Sequence, residues 1–97
     1  MAVVYISEYT EGFNPYAPTV GSEPSTVQQT VAIGGGSTQS SAFRTDTKLV
    51  RIHCDAICSI RFGTNPTASS TTARLAANQT EYFKVTPGDK VAVITNT

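Results

Sequence analysis

Residues 47–63, TKLVRIHCDAICSIRFG, decide the fold, because they contain two short runs with the two-residue period of β-strands. In the first run one face carries Lys48, Val50, Ile52 and Cys54, and the other carries Leu49, Arg51 and His53. In the second run one face carries Cys58, Ile60 and Phe62, and the other carries Ile57, Ser59 and Arg61. The natural break between the runs is Asp55-Ala56. The pattern predicts a hairpin whose two mostly apolar faces share one core, while Arg51, His53, Ser59 and Arg61 point towards solvent or a partner.

Short strand-like runs separated by turn residues also surround this segment. Pro87-Gly88-Asp89 is a strong turn signal, and the run after it is apolar on both faces, which indicates a strand inside a sheet. The predicted strands outside the hairpin are 2–7, 26–33, 39–44, 73–76, 80–85 and 90–95. About seven or eight short strands, with no convincing helical period, predict an all-β fold. We expect a small antiparallel β-sandwich, jelly-roll-like, over residues 26–97.

Residues 8–24 interrupt the strand pattern. They contain Gly12, Pro15, Pro18, Gly21 and Pro24, and proline removes backbone donors and favours extended geometry. Three aromatic residues, Tyr9, Phe13 and Tyr16, lie between them, and a solvated linker rarely carries so many. Residues 1–25 are therefore predicted to be an N-terminal strand followed by an extended arm, which lies on its own sandwich or on a neighbouring subunit.

Composition excludes several classes of protein. A chain of 97 residues can bury one modest core, so we expect a single sandwich domain. Seven basic and seven acidic side chains are balanced and unclustered, which argues against a nucleic-acid partner. No apolar run approaches the roughly 20 residues that cross a bilayer, and the start lacks the pattern of an export signal. We expect a soluble, unexported polypeptide with no membrane partner.

Four side chains of the types that bind metals fall within 47–63: His53, Cys54, Asp55 and Cys58. Structural zinc commonly needs two close-spaced pairs of ligands, whereas this chain has one Cys-x-x-x-Cys spacing and one histidine. Strand alternation also places His53 and Cys54 on opposite faces. The cysteines are predicted to be small buried hydrophobic residues and His53 a surface residue, with no metal. A disulfide requires that the cysteines face each other across their three-residue loop.

No other pattern supplies catalytic chemistry. His53 with Cys58 or Ser59 as a nucleophile lacks an orienting group and an oxyanion site. The string GGGSTQSS at 34–41 lacks the spacing and the lysine of a phosphate-binding loop. The carboxylates available for acid-base catalysis fall on predicted turns and solvated faces: Asp46, Asp55, Glu81 and Asp89. We predict that the protein is not an enzyme and has no catalytic, cofactor-binding or metal-ligating residues.

Most of the chain resembles small structural proteins encoded among the head genes of tailed bacteriophages. The similar stretches are SAFRTDTKLVRIHCDAICSIRFGTNPTAS at 41–69 and RLAANQTEYFKVTPGDKVAVI at 74–94, and AVVYISEYTEG at 2–12 resembles their N-terminal arm. The most recognisable pieces, 62–68 and 81–94, are turns and core strands without reactive chemistry. The resemblance implies a capsid decoration or cement protein on the exterior of the virion, made in the host cytoplasm. It implies binding to the major capsid protein and self-association as a homo-oligomer, with a trimer favoured.

In the capsid-decoration hypothesis, residues 8–24 act as a clasp onto the shell or a sister subunit. There are two alternatives to it. One is another virion location, in the neck, the tail or a head fibre. The other is a glycan-binding module on the virion surface, because sugar sites often use exposed aromatic platforms. The candidate platforms are Tyr9, Phe13, Tyr16 and Tyr82.

Overall fold

A computed structural model describes residues 2–10, 25 and 27–96, and these form eight β-strands. In chain order the strands are β1 (Val3–Tyr9), β2 (Val27–Ala32), β3 (Thr38–Gln39), β4 (Leu49–Cys54), β5 (Cys58–Gly63), β6 (Ala73–Leu75), β7 (Thr80–Lys84) and β8 (Lys90–Thr95). They build two antiparallel sheets, a first sheet in the order β2-β1-β4-β7 and a second in the order β3-β8-β5-β6. The predicted all-β antiparallel sandwich is confirmed. Within the described ranges no helix is long and apolar enough to span a membrane.

The predicted hairpin at 47–63 is wrong in its pairing. Both strands exist, but β4 lies between β1 and β7 in the first sheet, whereas β5 lies between β8 and β6 in the second. Asp55-Ala56 is a corner at which the chain crosses from one sheet to the other. Asp55 fastens this corner to β1, because its carboxylate accepts from the Val3 amide (2.8 Å) and its own amide donates to the Val3 carbonyl (3.2 Å). Alternation fixes which face of a strand is apolar, and it leaves the partner strand undetermined.

The shared core predicted for the two strands is confirmed. Val50, Ile52 and Cys54 of β4 face Cys58 and Ile60 of β5 across the sandwich, and all five are fully or almost fully buried. Other strands complete this cluster from both sheets, with Val4, Ile6, Val31, Leu75, Val91 and Val93. The apolar faces of β4 and β5, which follow each other in sequence, therefore meet in the core, although the two strands do not pair with each other.

The order of the strands is that of a jelly-roll-like wrap. Among the strands of the described residues, β1 and β2 pair within one sheet, and so do β5 and β6. Every other pair of consecutive strands lies in opposite sheets. The chain therefore winds around the core instead of forming two stacked meanders, as in jelly rolls.

The outer face of the second sheet is covered by the connection between β5 and β6, residues 64–72. Gln39 on β3 donates to the Asn65 side chain and to the Pro66 carbonyl, both at 2.8 Å. The Ser37 hydroxyl accepts from the Ala68 amide at 2.9 Å. The connection thus crosses the sheet from β5 to the far edge at β3.

Residues 64–72 explain why two side chains on the outer face of the second sheet are buried, which alternation alone does not predict. Ser59 and Ala92 point to the outer face of the second sheet, yet both are fully buried. Asn96 donates to the Ser59 hydroxyl (2.6 Å) and to the Ser70 carbonyl (3.2 Å), which ties the connection to the sheet. The prediction that Ser59 faces solvent or a partner is wrong for this reason. The prediction that the last strand lies inside a sheet is confirmed, because β8 is flanked by β3 and β5.

Several predicted boundaries change. The strand predicted at 39–44 is reduced to β3, while Phe43 reaches the core from the loop that follows. The first strand extends through Glu8 and Tyr9, which were assigned to the arm, and it lies between β2 and β4. Strand β1 is thus an inner strand of the sandwich. Apart from residues 8–10, the predicted arm at 8–24 lies outside the described residues.

The turn predicted at Pro87-Gly88-Asp89 is confirmed. The Asp89 amide donates to the Thr86 carbonyl at 3.1 Å, and Gly88 has φ of 86°. Proline followed by a residue with positive φ is the pattern of a type II turn, and glycine adopts that φ without a steric penalty. This turn joins β7 of the first sheet to β8 of the second.

Glu8 is a fully buried carboxylate that points into the sandwich from β1. Its Oε1 atom accepts from the Thr47 hydroxyl (2.7 Å) and from the Arg44 amide (3.0 Å). Its Oε2 atom accepts from the Gln29 side chain (3.4 Å), and the same Gln29 side chain accepts from the Ser41 amide (3.0 Å). A buried carboxylate is stable only when such donors surround it. Glu8 therefore holds the loop between β3 and β4 against the first sheet.

We predict that Glu8→Gln lowers the free energy of unfolding by about 1–3 kcal/mol. If the new amide keeps its oxygen towards Thr47 and Arg44, its NH2 group meets the Gln29 NH2 group, which also donates. Urea denaturation at neutral pH measures the change. Glu81→Gln is the matched control, because the Glu81 carboxylate is only partly buried and accepts from the neighbouring Gln79 side chain. Equal effects of the two substitutions would contradict an anchoring role for Glu8.

Candidate functional site

The four side chains weighed as metal ligands do not converge. Cys54 points into the core, whereas His53 lies on the outer face of the first sheet, where a hydrogen bond links its Nδ1 to the Thr80 hydroxyl (2.7 Å). Asp55 is engaged with Val3 at the corner. In the part of the chain that the structure describes, no group of three or more histidine, cysteine, aspartate or glutamate side chains is arranged to hold a metal ion. The predicted separation of His53 and Cys54 onto opposite faces is confirmed.

Cys54 and Cys58 are free, buried thiols that meet across the core behind the corner. The Cys54 thiol donates to the Ala76 carbonyl at 3.0 Å. Burial, together with the neighbouring Cys54 thiol and a hydrogen bond between the two, raises the pKa of Cys58 to about 12. A thiol that stays protonated at neutral pH is a poor nucleophile and a poor metal ligand. The prediction that both cysteines are buried is confirmed.

The carboxylates considered for acid-base chemistry lie apart from one another. Asp46 forms an ion pair with Arg44 (3.2 Å) in which both side chains are about half exposed. Glu81 accepts from Gln79 near one edge of the first sheet, and Asp89 lies in the turn before β8. Asp46 and Glu81 are engaged with their own neighbours, and none of the three carboxylates is bonded to His53.

The outer face of the first sheet carries a group of polar and aromatic side chains that could bind a ligand. Alternation brings six of them side by side on three adjacent strands, where they line an open groove of about 440 Å³. They are Tyr5 and Ser7 of β1, Gln28 and Thr30 of β2, and Arg51 and His53 of β4. In the register Tyr5 lies opposite both Thr30 and His53, and Ser7 lies opposite Gln28 and Arg51. We take this groove as the candidate site.

Two tyrosines lie on the same sheet face as Arg51 and His53. Tyr5 is 46% exposed and Tyr82, opposite Arg51 on β7, is 51% exposed. The rings of Tyr5 and His53 lie 6.3 Å apart between centroids and are tilted by 45°. The predicted outward orientation of Arg51 and His53 is confirmed, and both are partly exposed. The exposure of Tyr82 fits its prediction as a platform.

The other aromatic candidates fare differently. Tyr9 is almost fully buried, so its prediction as an exposed platform is wrong. Phe13 and Tyr16 lie outside the described residues. Tyr5 was missed by sequence reasoning, although a signal existed: in VVYISEY it alternates with Val4 and Ile6, which are core residues, so it must face outwards.

The two edges of the first sheet differ in charge. At one edge β7 carries Glu81 on its inner side and Lys84 on its outer side, and such charges discourage pairing with another strand. At the other edge β2 has the sequence VQQTVA, with no charge, proline or glycine. Among the described residues its one strand neighbour is β1, which leaves the other edge of β2 unpaired.

Comparison of the chain with protein families, with curated proteins and with solved structures gives no match in any of the three.

We predict that the raised pKa of Cys58 lowers the free energy of unfolding as the pH becomes alkaline. The ordinary pKa of 9.0 applies to the unfolded chain, and the folded value is about 12. Between these values the unfolded chain releases the proton and the folded chain retains it, so stability is fully present below about pH 9 and falls as pH rises towards 12.

Urea denaturation at several pH values between 8 and 11 tests this, with Cys58→Ala as the comparison. The variant should have a shallower decline of the unfolding free energy with pH, because it lacks the thiol that loses its proton more readily in the unfolded chain. Parallel declines in the two proteins would show that Cys58 is not the source.

Proposed function

We propose that the protein is a non-enzymatic structural component of a bacteriophage virion, a capsid decoration protein that binds the outside of the head shell as an oligomer. The resemblance at 41–69 and 74–94 motivates the assignment. The structural observation that carries it is the edge of β2 with which no strand of the described residues pairs, and this edge is uncharged and continuous with a sheet face rich in contact-forming side chains. Proteins that have no contacts to make commonly protect such an edge.

The disposition of reactive groups supports a structural role. Cys54 and Cys58 are buried in the core, Asp55 holds a corner of the chain, and Glu8 anchors a loop. These are the roles of groups that stabilise a small rigid body. A small sandwich with a limited core also gains stability when neighbouring copies cover its exposed edges.

The geometry of β2 constrains how copies of the chain associate. Pairing of β2 with β2 of a second copy would be isologous and would close a dimer. A trimer, which the resemblance favours, requires that β2 contact a different element of the neighbouring copy, since only head-to-tail contacts close a three-membered ring. In either case backbone groups of β2 would supply the hydrogen bonds, as in strand addition.

Copy number distinguishes the proposed location from a neck, tail or fibre position. In purified particles of the phage that encodes the chain, quantitative mass spectrometry against the major capsid protein should give hundreds of copies, whereas about a dozen would indicate a ring at the neck. A map of the same particles should place the sandwich outside the shell. Absence of the protein from particles would overturn the proposal.

For self-association, we predict that Ala32→Lys shifts the purified protein from oligomer to monomer, because a lysine at the β2 edge opposes strand pairing. Ala73→Lys is the matched control, since it makes the same change at an exposed position of β6, an edge strand of the second sheet. Light scattering coupled to size-exclusion chromatography measures the mass of each. An oligomer that Ala32→Lys leaves intact would exclude the β2 edge as the contact.

A further inference from the structure

The two outer faces of the sandwich are not equivalent. Residues 64–72 cover the outer face of the second sheet and bury Ser59 and Ala92. The outer face of the first sheet instead leaves Tyr5 and Tyr82 about half exposed, and these are the exposed large hydrophobic side chains of the described residues. Half-exposed tyrosines on an open sheet face are typical of surfaces that bind something, because each offers an apolar ring and a polar hydroxyl.

The charge on this face has one sign. Arg51 and Lys84 point outwards from this sheet, and so does His53. No carboxylate is among the outward side chains of β1, β2, β4 and β7. Arg51 lies on an inner strand, beside Ser7 and opposite Tyr82, and within the described ranges no hydrogen bond or ion pair occupies its guanidinium. A partly buried arginine without a protein partner is well placed to bind a carboxylate through two parallel hydrogen bonds.

The groove beside Arg51 has a mixed polar and apolar lining. Its volume of about 440 Å³ lies within the roughly 300–1,000 Å³ that is typical of ligand sites. Gln28, Thr30 and Ser7 provide both donors and acceptors along its length. The groove is open to solvent along the sheet face. Hydroxyl-rich ligands with one flat apolar side fit such a groove.

From these features we propose that the outer face of the first sheet binds an acidic carbohydrate. Tyr5 would stack on the ring of the sugar, Arg51 would pair with its carboxylate, and Gln28 and Thr30 would bond its hydroxyls. Two cationic side chains, Arg51 and Lys84, without a longer basic stripe do not suit a nucleic acid, and a simple anion would leave the tyrosines unused. The proposal is independent of the capsid role, because it concerns the open face and not the β2 edge.

The test begins with the full-length protein on an array that carries uronate-, sialate- and phosphate-bearing glycans beside their neutral counterparts. Binding confined to carboxylate-bearing members supports the proposal. Binding only to phosphate-bearing members, equal binding to neutral members, or no binding would overturn it.

Variants then locate the site. Titration calorimetry measures their affinity for the glycan that the array identifies, used free in solution. Arg51→Gln should weaken binding at least about tenfold, and Arg51→Lys by less, since lysine keeps the charge and loses the planar fork. Arg61→Gln is the matched control, because Arg61 is exposed on the second sheet, and it should leave the affinity within about twofold. If Arg61→Gln weakened the affinity as much as Arg51→Gln, the glycan would be attracted by positive charge in general, and the proposed site would be overturned.

Two further measurements separate a sugar site from a bare anion site. Tyr5→Leu should weaken binding several-fold, because it removes the aromatic platform. Free acetate at the same carboxylate concentration should not compete with the glycan. Full competition by acetate would overturn the assignment to a carbohydrate. Dispersed amide signals in the NMR spectrum of each variant establish that it is folded.

Discussion

The corner at Asp55-Ala56 is the constraint on which the rest of the structure depends. It carries the chain from the first sheet to the second, so two strands that follow each other in sequence face each other across the core. The carboxylate of Asp55 ties the corner to Val3, and the inner strand β1 is thereby fixed beside β4. With this crossing in place, the inward parity of β4 determines that Arg51 and His53 face outwards. The core and the candidate site therefore follow from the same corner.

The loops determine how the two outer faces differ. The connection between β5 and β6 is bonded to Gln39 and Ser37 on the far side of the second sheet, and it covers the part of that face that contains Ser59 and Ala92. The loop between β3 and β4 is held against the first sheet by Glu8, and its Phe43 side chain reaches the core. Both loops thus contribute to burial that a small sandwich cannot obtain from its strands alone.

The sequence predicts much of the fold through alternation. The strand at 90–95 was predicted with its observed limits, and the inward residues of β4 and β5 were assigned correctly, because a two-residue period directly reports which face is buried. Pairing was not predictable in the same way. A hairpin and a crossing corner both put the apolar faces of residues 47–63 towards a common core, and the choice depends on contacts between residues far apart in sequence.

The candidate site was predictable only in part. Arg51 and His53 were placed outwards by parity, and Tyr82 was a candidate aromatic platform. Tyr5 and Gln28 gained significance only when β1 and β2 were found beside β4. The burial of Glu8 and Ser59 could not be foreseen, since it depends on a loop donor at Arg44 and on Asn96 near the end of the chain. Long-range hydrogen bonds leave no periodic signal in a sequence.

The groove and the free edge of β2 share a strand, and this has a consequence for assembled copies. Gln28 and Thr30 line the groove from β2, while on its other side the same strand has no strand neighbour among residues 2–10, 25 and 27–96. Copies joined through that backbone would hold their grooves at a fixed spacing, each groove next to a joint. A polymer with a repeating charged unit would then be bound at several points at once, with an avidity well above the affinity of one groove.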